Sequence, residues 1–476
     1  MALKKISMPQ IEQKLEQNFG FKELRGLQKQ TLEALIEGKS VLTVMPTGTG
    51  KSLCYQLPAL FSEGLILVIS PLIALMQDQV QKAKEFGIKA AALNSAMSAQ
   101  ERENVLKKVA QGSVKLLFVT PERFQKPEFI ETLESVNIEF FAVDEAHCIS
   151  QWGHDFRPDF TRIKDYIKTF KVDQVLALTA TATAATRKDI VSQLQTENEF
   201  LELVGGFERE NLSLNVLELS GVEQKIQALY MFRNQIQGPM IIYFSLVQSL
   251  EEVSRAFQKL GVEHLTYHGQ MRDHLRSKNL KSFIKGDSPL ILATPAFGLG
   301  VDKSNIRSVL HAEIPGSIEA YYQEVGRGGR DGKPCECHLL LDNDDLAIQM
   351  DFIKWSNPEP QFIKYLFRLL KENPQRFEME GLEFLRAQMN FYNSRDFRVE
   401  TALNLLQRWG AIEYKGNYKN LKILEEPSSL YLDEDLYSKK LKQQNKKLYD
   451  LFQLLQKPQE QLMPSILEYF EGALDE

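Results

Sequence analysis

One kind of run constrains the fold more than any other feature of the chain. Leu65-Ile-Leu-Val-Ile-Ser70, Leu116-Leu-Phe-Val-Thr120, Phe140-Phe-Ala-Val-Asp144 and Val175-Leu-Ala-Leu-Thr179 are each apolar and β-rich up to a polar last residue, with helical stretches between them. Strands apolar throughout must be covered on both faces, as in a parallel sheet. A second series, Met240-Ile-Ile-Tyr-Phe-Ser245, Leu290-Ile-Leu-Ala-Thr294 and Ser308-Val-Leu-His-Ala312, predicts another α/β unit in tandem. Open sheets of this kind bind ligands beyond the C-terminal ends of their strands, where these polar residues stand.

Gly205-Gly206 is the expected hinge between the two units, and Asp342-Asn-Asp-Asp345 the polar break that closes the second. The domains are therefore expected at 1–205, 206–345 and 346–476, close to the roughly three that this length implies. In the last of them, 362–370 and 398–409 have helical apolar spacing. Residues 411–424 alternate and turn at Lys415-Gly-Asn-Tyr418, as a hairpin does. Helices followed by a hairpin suggest a small, mostly helical, winged-helix-like region. The basic stretch from Lys439 to Lys447 is either a duplex contact or a solvated helix face.

A hydrophobic share of 43% with 25% charged residues excludes disorder over most of the chain. The longest apolar stretch, 64–76, is broken by Ser70 and Pro71 and falls short of the roughly 20 residues a membrane span needs. No leader is read at the N-terminus, so a cytoplasmic location is expected. Cys54, Cys148, Cys335 and Cys337 are too few for a disulfide framework and suit a reducing compartment. Cys335-Glu-Cys337-His338 lacks a second ligand pair and reads as strand or turn rather than zinc. The net charge of −6 leaves no general basic coating, so a polyanion must be bound in a local channel.

Val41-Leu-Thr-Val-Met45 reads as a strand and Pro46-Thr-Gly-Thr-Gly-Lys-Ser52 as a loop opening a helix. Backbone amides of Thr47, Gly48, Thr49 and Gly50 would cradle phosphate, Lys51 would reach the β and γ phosphates, and the Ser52 hydroxyl would hold Mg²⁺. Met45 stands where the strict pattern has a glycine. Asp144 and Glu145 end a buried strand, an expensive arrangement without a cation. Asp144 is expected to bind Mg²⁺ and Glu145 to deprotonate the attacking water.

Asp144-Glu-Ala-His-Cys-Ile-Ser-Gln-Trp-Gly-His-Asp-Phe-Arg-Pro158 closely resembles the Walker B segment and aromatic-rich loop of RecQ-family DNA helicases. The resemblance runs in order over about residues 10–345. It takes in Met45-Pro-Thr-Gly-Thr-Gly-Lys-Ser-Leu-Cys-Tyr-Gln56, Ser70-Pro-Leu-Ile-Ala-Leu-Met-Gln-Asp-Gln79, Thr179-Ala-Thr-Ala182, Ala296-Phe-Gly-Leu-Gly300 and Tyr321-Tyr-Gln-Glu-Val-Gly-Arg-Gly-Gly-Arg-Asp-Gly332. It implies a superfamily 2 motor with two RecA-like parallel-sheet domains, ATP as fuel and 3′ to 5′ movement on single-stranded DNA. Tailed or forked duplexes would be its substrates, repair and recombination its setting, a monomer its state and the nucleoid its place when bound to DNA.

The resemblance also implies roles. Phe21 and Arg25 would sandwich the adenine, and the Gln28 amide would read its edge. His147 joins the catalytic set. Gln323, Arg327 and Arg330 come from a segment predicted to be helical, on which two arginines three apart share a face. They would act as arginine fingers from the second lobe. Gly328 stands where the family usually has alanine, which would loosen that helix.

Trp152, His154, Phe156 and Arg157 would sense DNA by stacking on bases. Ser70, Pro71, Gln79, Thr120, Arg123, Ser245, His268 with Gly269, and Thr294 would hold its phosphates. Thr179-Ala-Thr-Ala182 would couple hydrolysis to lobe movement, and Asp302-Lys303 would sense nucleotide. The Tyr414 to Tyr418 hairpin is either a strand-separating wing or a plain exposed turn. No cysteine follows Cys337, and Gln461 stands where the family's zinc module has one, so no zinc site is expected. An ATP-dependent helicase, a translocase with little unwinding and a silenced DNA-binding or annealing protein remain open readings.

Overall fold

The computed structural model describes residues 6–71, 73–94, 97–150, 158–194, 196, 199–298, 303–389, 396–415 and 418–472. The chain forms two compact units, Met1–Leu341 together with Leu454–Glu476, and Asp342–Gln453.

Two parallel sheets build the first unit. The strands of the first, in chain order, are β1 (Ser40–Val44), β2 (Leu65–Ile69), β3 (Ala90–Leu93), β4 (Leu116–Val119), β5 (Ile138–Asp144), β6 (Val175–Thr179) and β7 (Phe200–Val204). Their spatial order is β3-β4-β2-β5-β6-β1-β7, every neighbouring pair parallel. The second sheet holds β8 (Leu212–Glu218), β9 (Met240–Tyr243), β10 (Leu265–Tyr267), β11 (Leu290–Ala293), β12 (Ser308–His311) and β13 (Cys335–Leu341), in the order β10-β11-β9-β12-β13-β8.

Inner strands such as β1, β2, β9 and β11 are buried at every residue, as their unbroken apolar runs require. Ile66, Val68, Phe118, Phe140 and Leu176 meet the flanking helices in one core. Ile242, Phe257, Leu292 and Leu310 do so in the second sheet. Among the described residues, no helix is long and apolar enough to cross a membrane.

The second unit has its own core of Ile363, Leu366, Leu370, Phe384, Leu403, Leu406 and Ile412. Helices Pro360–Glu372 and Arg398–Arg408 carry the apolar spacing read from sequence. The antiparallel strands β14 (Ile412–Lys415) and β15 (Lys419–Ile423) form the expected hairpin. Its turn residues Gly416 and Asn417 lie outside the described residues. Trp409 stacks on Tyr431 with centroids 5.0 Å apart.

The chain does not stay in this unit to its end, which departs from the expectation of one region over 346–476. Helix Gln459–Glu471 belongs to the first unit, because Leu462, Ile466 and Phe470 recur at one-turn spacing and are all buried. Phe470 stacks on Phe207 at 5.1 Å, and Arg187 Nη1 donates to the Phe470 carbonyl at 2.8 Å.

Candidate active site between the two sheets

β1 ends at Val44, and the chain then loops over residues 45–52 into helix Leu53–Ala59. Gly48 and Gly50 have φ values of 83° and 82°, which a side chain would resist. A Cβ at Gly48 would lie 3.0 Å from Cγ and Cδ of Arg330, and one at Gly50 2.7 Å from Gln28 Nε2. Lys51 Nζ donates to the carbonyls of Met45 at 3.2 Å and Pro46 at 3.3 Å. Burial lowers the pKa of this ammonium, Glu145 and Asp144 raise it, and the Arg330 charge lowers it again.

Gln28 is buried, and its Nε2 donates to the carbonyls of Thr49 at 2.8 Å and Gly50 at 3.2 Å. Its Oε1 accepts from the Arg25 amide at 2.9 Å. Phe21, by contrast, is 47% exposed. The structure therefore brings Gln28 to the phosphate loop and leaves Phe21 and Arg25 at the surface beside it.

β6 separates β1 from β5, with Val44 beside Thr179 and Asp144 beside Leu178. The loop after β1 and the carboxylates after β5 thus flank the end of one strand. Withdrawal from water pushes the Asp144 carboxyl up to about 7, with the Glu145 charge adding and the Lys51 charge opposing. Glu145 has a φ of 52°, a conformation that a residue other than glycine adopts at a cost. The buried Glu145 Oε2 has no hydrogen-bond donor among the described residues. His147 Nδ1 stands 3.4 Å from that oxygen and 2.9 Å from Thr179 Oγ1. The Thr179 hydroxyl already donates to the Thr181 carbonyl at 3.1 Å, so His147 Nδ1 carries the proton that Thr179 accepts.

The chemistry of these donors fits a hard divalent cation. Among the described residues no group of three His, Cys, Asp or Glu side chains could hold a metal alone. Mg²⁺ does not ask for one, since it binds through one or two protein oxygens plus phosphates and water. Ser52 and Asp144 carry oxygen donors of that kind.

The second sheet's contribution differs from the sequence expectation in one respect. Helix Ile318–Val325 stops before both arginines, so Gln323 is helical while Arg327 and Arg330 lie in the turns beyond it. The chain continues through turns in which Gly329 has a φ of 53°. Arg327 and Arg330 therefore do not share a helix face. Arg330 lies along Gly48. Arg327 is buried, with its Nη2 3.0 Å from where a Gly298 Cβ would be, and its Nε donates to no acceptor among the described residues. Side chains join the sheets here: Gln323 Nε2 donates to Thr181 Oγ1 at 3.1 Å, and Thr47 Oγ1 donates to the Gly326 carbonyl at 3.1 Å.

Gly328 does not loosen a helix, because the helix has already ended. A Cβ there would stand 2.3 Å from Cys335 Sγ and 3.2 Å from Cys335 Cβ. Gly328→Ala is expected to destabilise the protein by about 1–3 kcal/mol through overpacking. Cys335→Ala should restore part of the loss, and thermal melts of the single and double variants check this.

The phosphate-contact candidates lie at or just after other strands of the two sheets. Ser70 and Thr120 follow the paired strands β2 and β4 and are buried. Arg123 is buried, 3.7 Å from Glu128, with Nε and Nη2 lacking hydrogen-bond acceptors. Gln79 Oε1 accepts from Gln56 Nε2 at 3.1 Å, which ties it to the helix after the phosphate loop. Pro71 is half-buried next to Ser70.

In the second sheet Ser245 and Thr294 follow the paired strands β9 and β11. Ser245 is committed to Glu313 and Ile314, its amide donating to Glu313 Oε2 at 2.7 Å. His268 is buried, which lowers its pKa while Glu251 raises it. Trp152, His154, Phe156, Arg157 and Asp302 lie outside the described residues. Sequence reasoning passed over Arg209 and Asn211, whose side chains bind the turns that carry the arginines. An Arg-x-Asn beside the hinge was their only signal.

The family model for DEAD/DEAH box helicase matches residues 25–190, and that for the helicase conserved C-terminal domain matches residues 222–332. The chain is 39% identical over 373 residues to the probable ATP-dependent DNA helicase RecS of Bacillus subtilis (strain 168), covering 78% of this chain and 75% of that protein. It is 41% identical over 343 residues to the ATP-dependent DNA helicase RecQ of the same organism, covering 72% of this chain and 58% of the relative. Among solved structures, the DUF1998 helicase MrfA bound to DNA superimposes with a TM-score of 0.60 at 18% identity, over 90% of this chain and 60% of that one. That likeness is one of fold.

Proposed function

Because the chain belongs to the RecQ family of ATP-dependent DNA helicases, we propose that it hydrolyses ATP in the cleft between its two sheets and uses the cycle to travel 3′ to 5′ along single-stranded DNA, opening tailed or forked duplexes. The observation that carries this is the meeting of the phosphate loop with the arginine turns, Thr47 on Gly326 and Arg330 on Gly48.

In this reading the loop amides and Lys51 hold the phosphates, and Phe21, Arg25 and Gln28 meet the base. Mg²⁺ would be held by Ser52 and Asp144 and would neutralise phosphate charge. A water oxygen attacks the γ-phosphorus while Glu145 accepts its proton. The bond to the bridging oxygen breaks, and ADP leaves with the electron pair. Arg330 faces the charge that spreads over the γ oxygens, the position from which such fingers act.

The chain of contacts from Glu145 through His147, Thr179 and Thr181 to Gln323 supports a route by which loss of the γ-phosphate loosens the second lobe. Nucleotide shifts the lobes only through its different affinity for the closed and open states. DNA lies against the strand ends bearing Ser70, Thr120, Arg123, Ser245, His268 and Thr294, with Trp152 and Arg157 as its sensors. The protein works as a monomer in the cytoplasm, on the nucleoid when bound to DNA.

Strand displacement on a 3′-tailed duplex tests the proposal. The native chain should separate strands only with ATP and Mg²⁺. Lys51→Ala should lower turnover by about 10²–10³-fold, as removal of a donor aimed at developing charge does. Unwinding that survives this change refutes the motor. Turnover without displacement would leave translocation alone, and stronger stimulation by RNA than by single-stranded DNA would overturn the substrate.

A further inference from the structure

The connector between the two sheets is fastened to the turns that carry both arginines. Arg209 Nη2 donates to the carbonyls of Gly328 at 2.8 Å and Gly329 at 3.2 Å, and its Nε donates to Asn211 Oδ1 at 3.3 Å. Asn211 Nδ2 donates to the carbonyls of Gly329 and Lys333, both at 2.8 Å. The Asn211 carbonyl accepts from the Cys335 amide at 2.9 Å, and Tyr322 Oη donates to the Phe207 carbonyl at 2.6 Å.

The carbonyls of Gly328, Gly329 and Lys333 stand past the end of helix Ile318–Val325 and before β13, outside any helix or strand ladder, and of the three only that of Gly329 also accepts from a backbone amide among the described residues, that of Gly332 at 3.0 Å. A segment with glycines at 326, 328 and 329 has little stiffness of its own. The Arg209 guanidinium and the Asn211 carboxamide supply it from outside, one of them through charge-assisted bonds. They also fill the space a side chain would need, since a Cβ at Gly329 would lie 2.3 Å from Asn211 Nδ2.

We propose that Arg209 and Asn211 are positioning residues for the arginine finger. They hold the turns so that Arg330 lies on the phosphate loop. Together with the Tyr322 hydroxyl on the Phe207 carbonyl, they bind the connector from Phe207 onward to the second sheet, which leaves Gly205 and Gly206, the latter with a φ of 73°, as the pivot between the lobes. The proposal rests on the ATP-hydrolysing reading given above.

The test is a double-mutant cycle in the full chain, read by DNA-stimulated ATP turnover, thermal melting and hydrogen exchange. Arg209→Ala and Asn211→Ala should each lower kcat roughly 10–100-fold, the scale of a displacement near 1 Å, with KM for ATP almost unchanged. Added to Arg330→Ala, either should change kcat by less than about twofold, because the group they position is already gone. An equal further loss in that background shows a merely structural role and overturns the proposal.

Where Arg209→Ala does not fold, Arg209→Lys, which keeps one donor, and Asn211→Asp, which sets a carboxylate against two carbonyls, carry the same cycle. Amide exchange over residues 326–333 should rise in every variant without spreading into β13, and unchanged exchange sinks the proposal whatever the turnover. A native chain with no ATP turnover, but with turns that loosen as expected, overturns the hydrolytic reading alone.

Discussion

Glu145→Gln is expected to cut ATP turnover at saturating single-stranded DNA by about 10²–10⁴-fold, the range that a positioned general base contributes. The amide has the shape of the carboxylate and can still orient water, but it cannot take up the proton that the attacking water must lose. Nucleotide binding should survive or tighten. Glu145 Oε2 is buried without a donor, and the Glu145 charge helps push the neighbouring Asp144 carboxyl up to about 7. Removing that charge makes the Asp144 anion easier to keep, so a cation held by Asp144 and Ser52 is not lost. The backbone at Glu145, with its φ of 52°, asks the same of Gln as of Glu. Single-turnover hydrolysis and the affinity for a fluorescent ATP analogue separate the two effects. Turnover within tenfold of native would assign the base elsewhere.

What the sequence disclosed of this fold follows from where each strand lies. Every fully apolar run proved to be an inner strand, because only burial on both faces makes such a run possible. Of the strands that no run announced, β3, β7, β8 and β10 are the edges of the two sheets, while β13, whose start at Cys335-Glu-Cys337-His338 read only as strand or turn, lies inside the second. Each of these edges has partly or fully exposed residues, β7 and β10 throughout, and Ala90-Ala-Ala-Leu93 also lacks β-forming side chains.

The phosphate loop and the two carboxylates were legible because their chemistry is local, in consecutive residues. Arg209 and Asn211 were not, since their partners are more than a hundred residues away and are backbone carbonyls, which every residue has. The arginine segment was misjudged for a related reason. The spacing of Gln323, Arg327 and Arg330 fits a helix, while Gly326, Gly328 and Gly329, which lower helix propensity, lie in the turns where the helix has ended. The return of helix Gln459–Glu471 to the first unit depends on Phe470 meeting Phe207, a pairing that no sequence pattern near either residue encodes.

The two arginines should fail differently. Arg330→Ala is expected to lower kcat by about 10³-fold or more, within the range measured for arginine fingers, with little change in KM for ATP. Its side chain lies along Gly48, and its charge already acts on the Lys51 ammonium, so it faces the place where the γ-phosphate charge develops. An interaction made only in the transition state is lost from kcat and not from ground-state binding. Arg330→Lys should recover only part of the loss, since a single ammonium does not reproduce the planar fork of donors.

Arg327 sits deeper, beside Gly298 and close enough for its charge to act on the Tyr243 phenol, which burial pushes up. Arg327→Ala should therefore lower thermal stability as well as turnover, because a buried side chain is removed together with the charge. Parallel measurements of kcat, KM and melting temperature for the two alanine variants decide the assignment. If Arg327→Ala abolishes turnover at full stability while Arg330→Ala stays within tenfold of native, the finger is Arg327, and the cleft must close by a rotation that carries it past Arg330 to the phosphate loop.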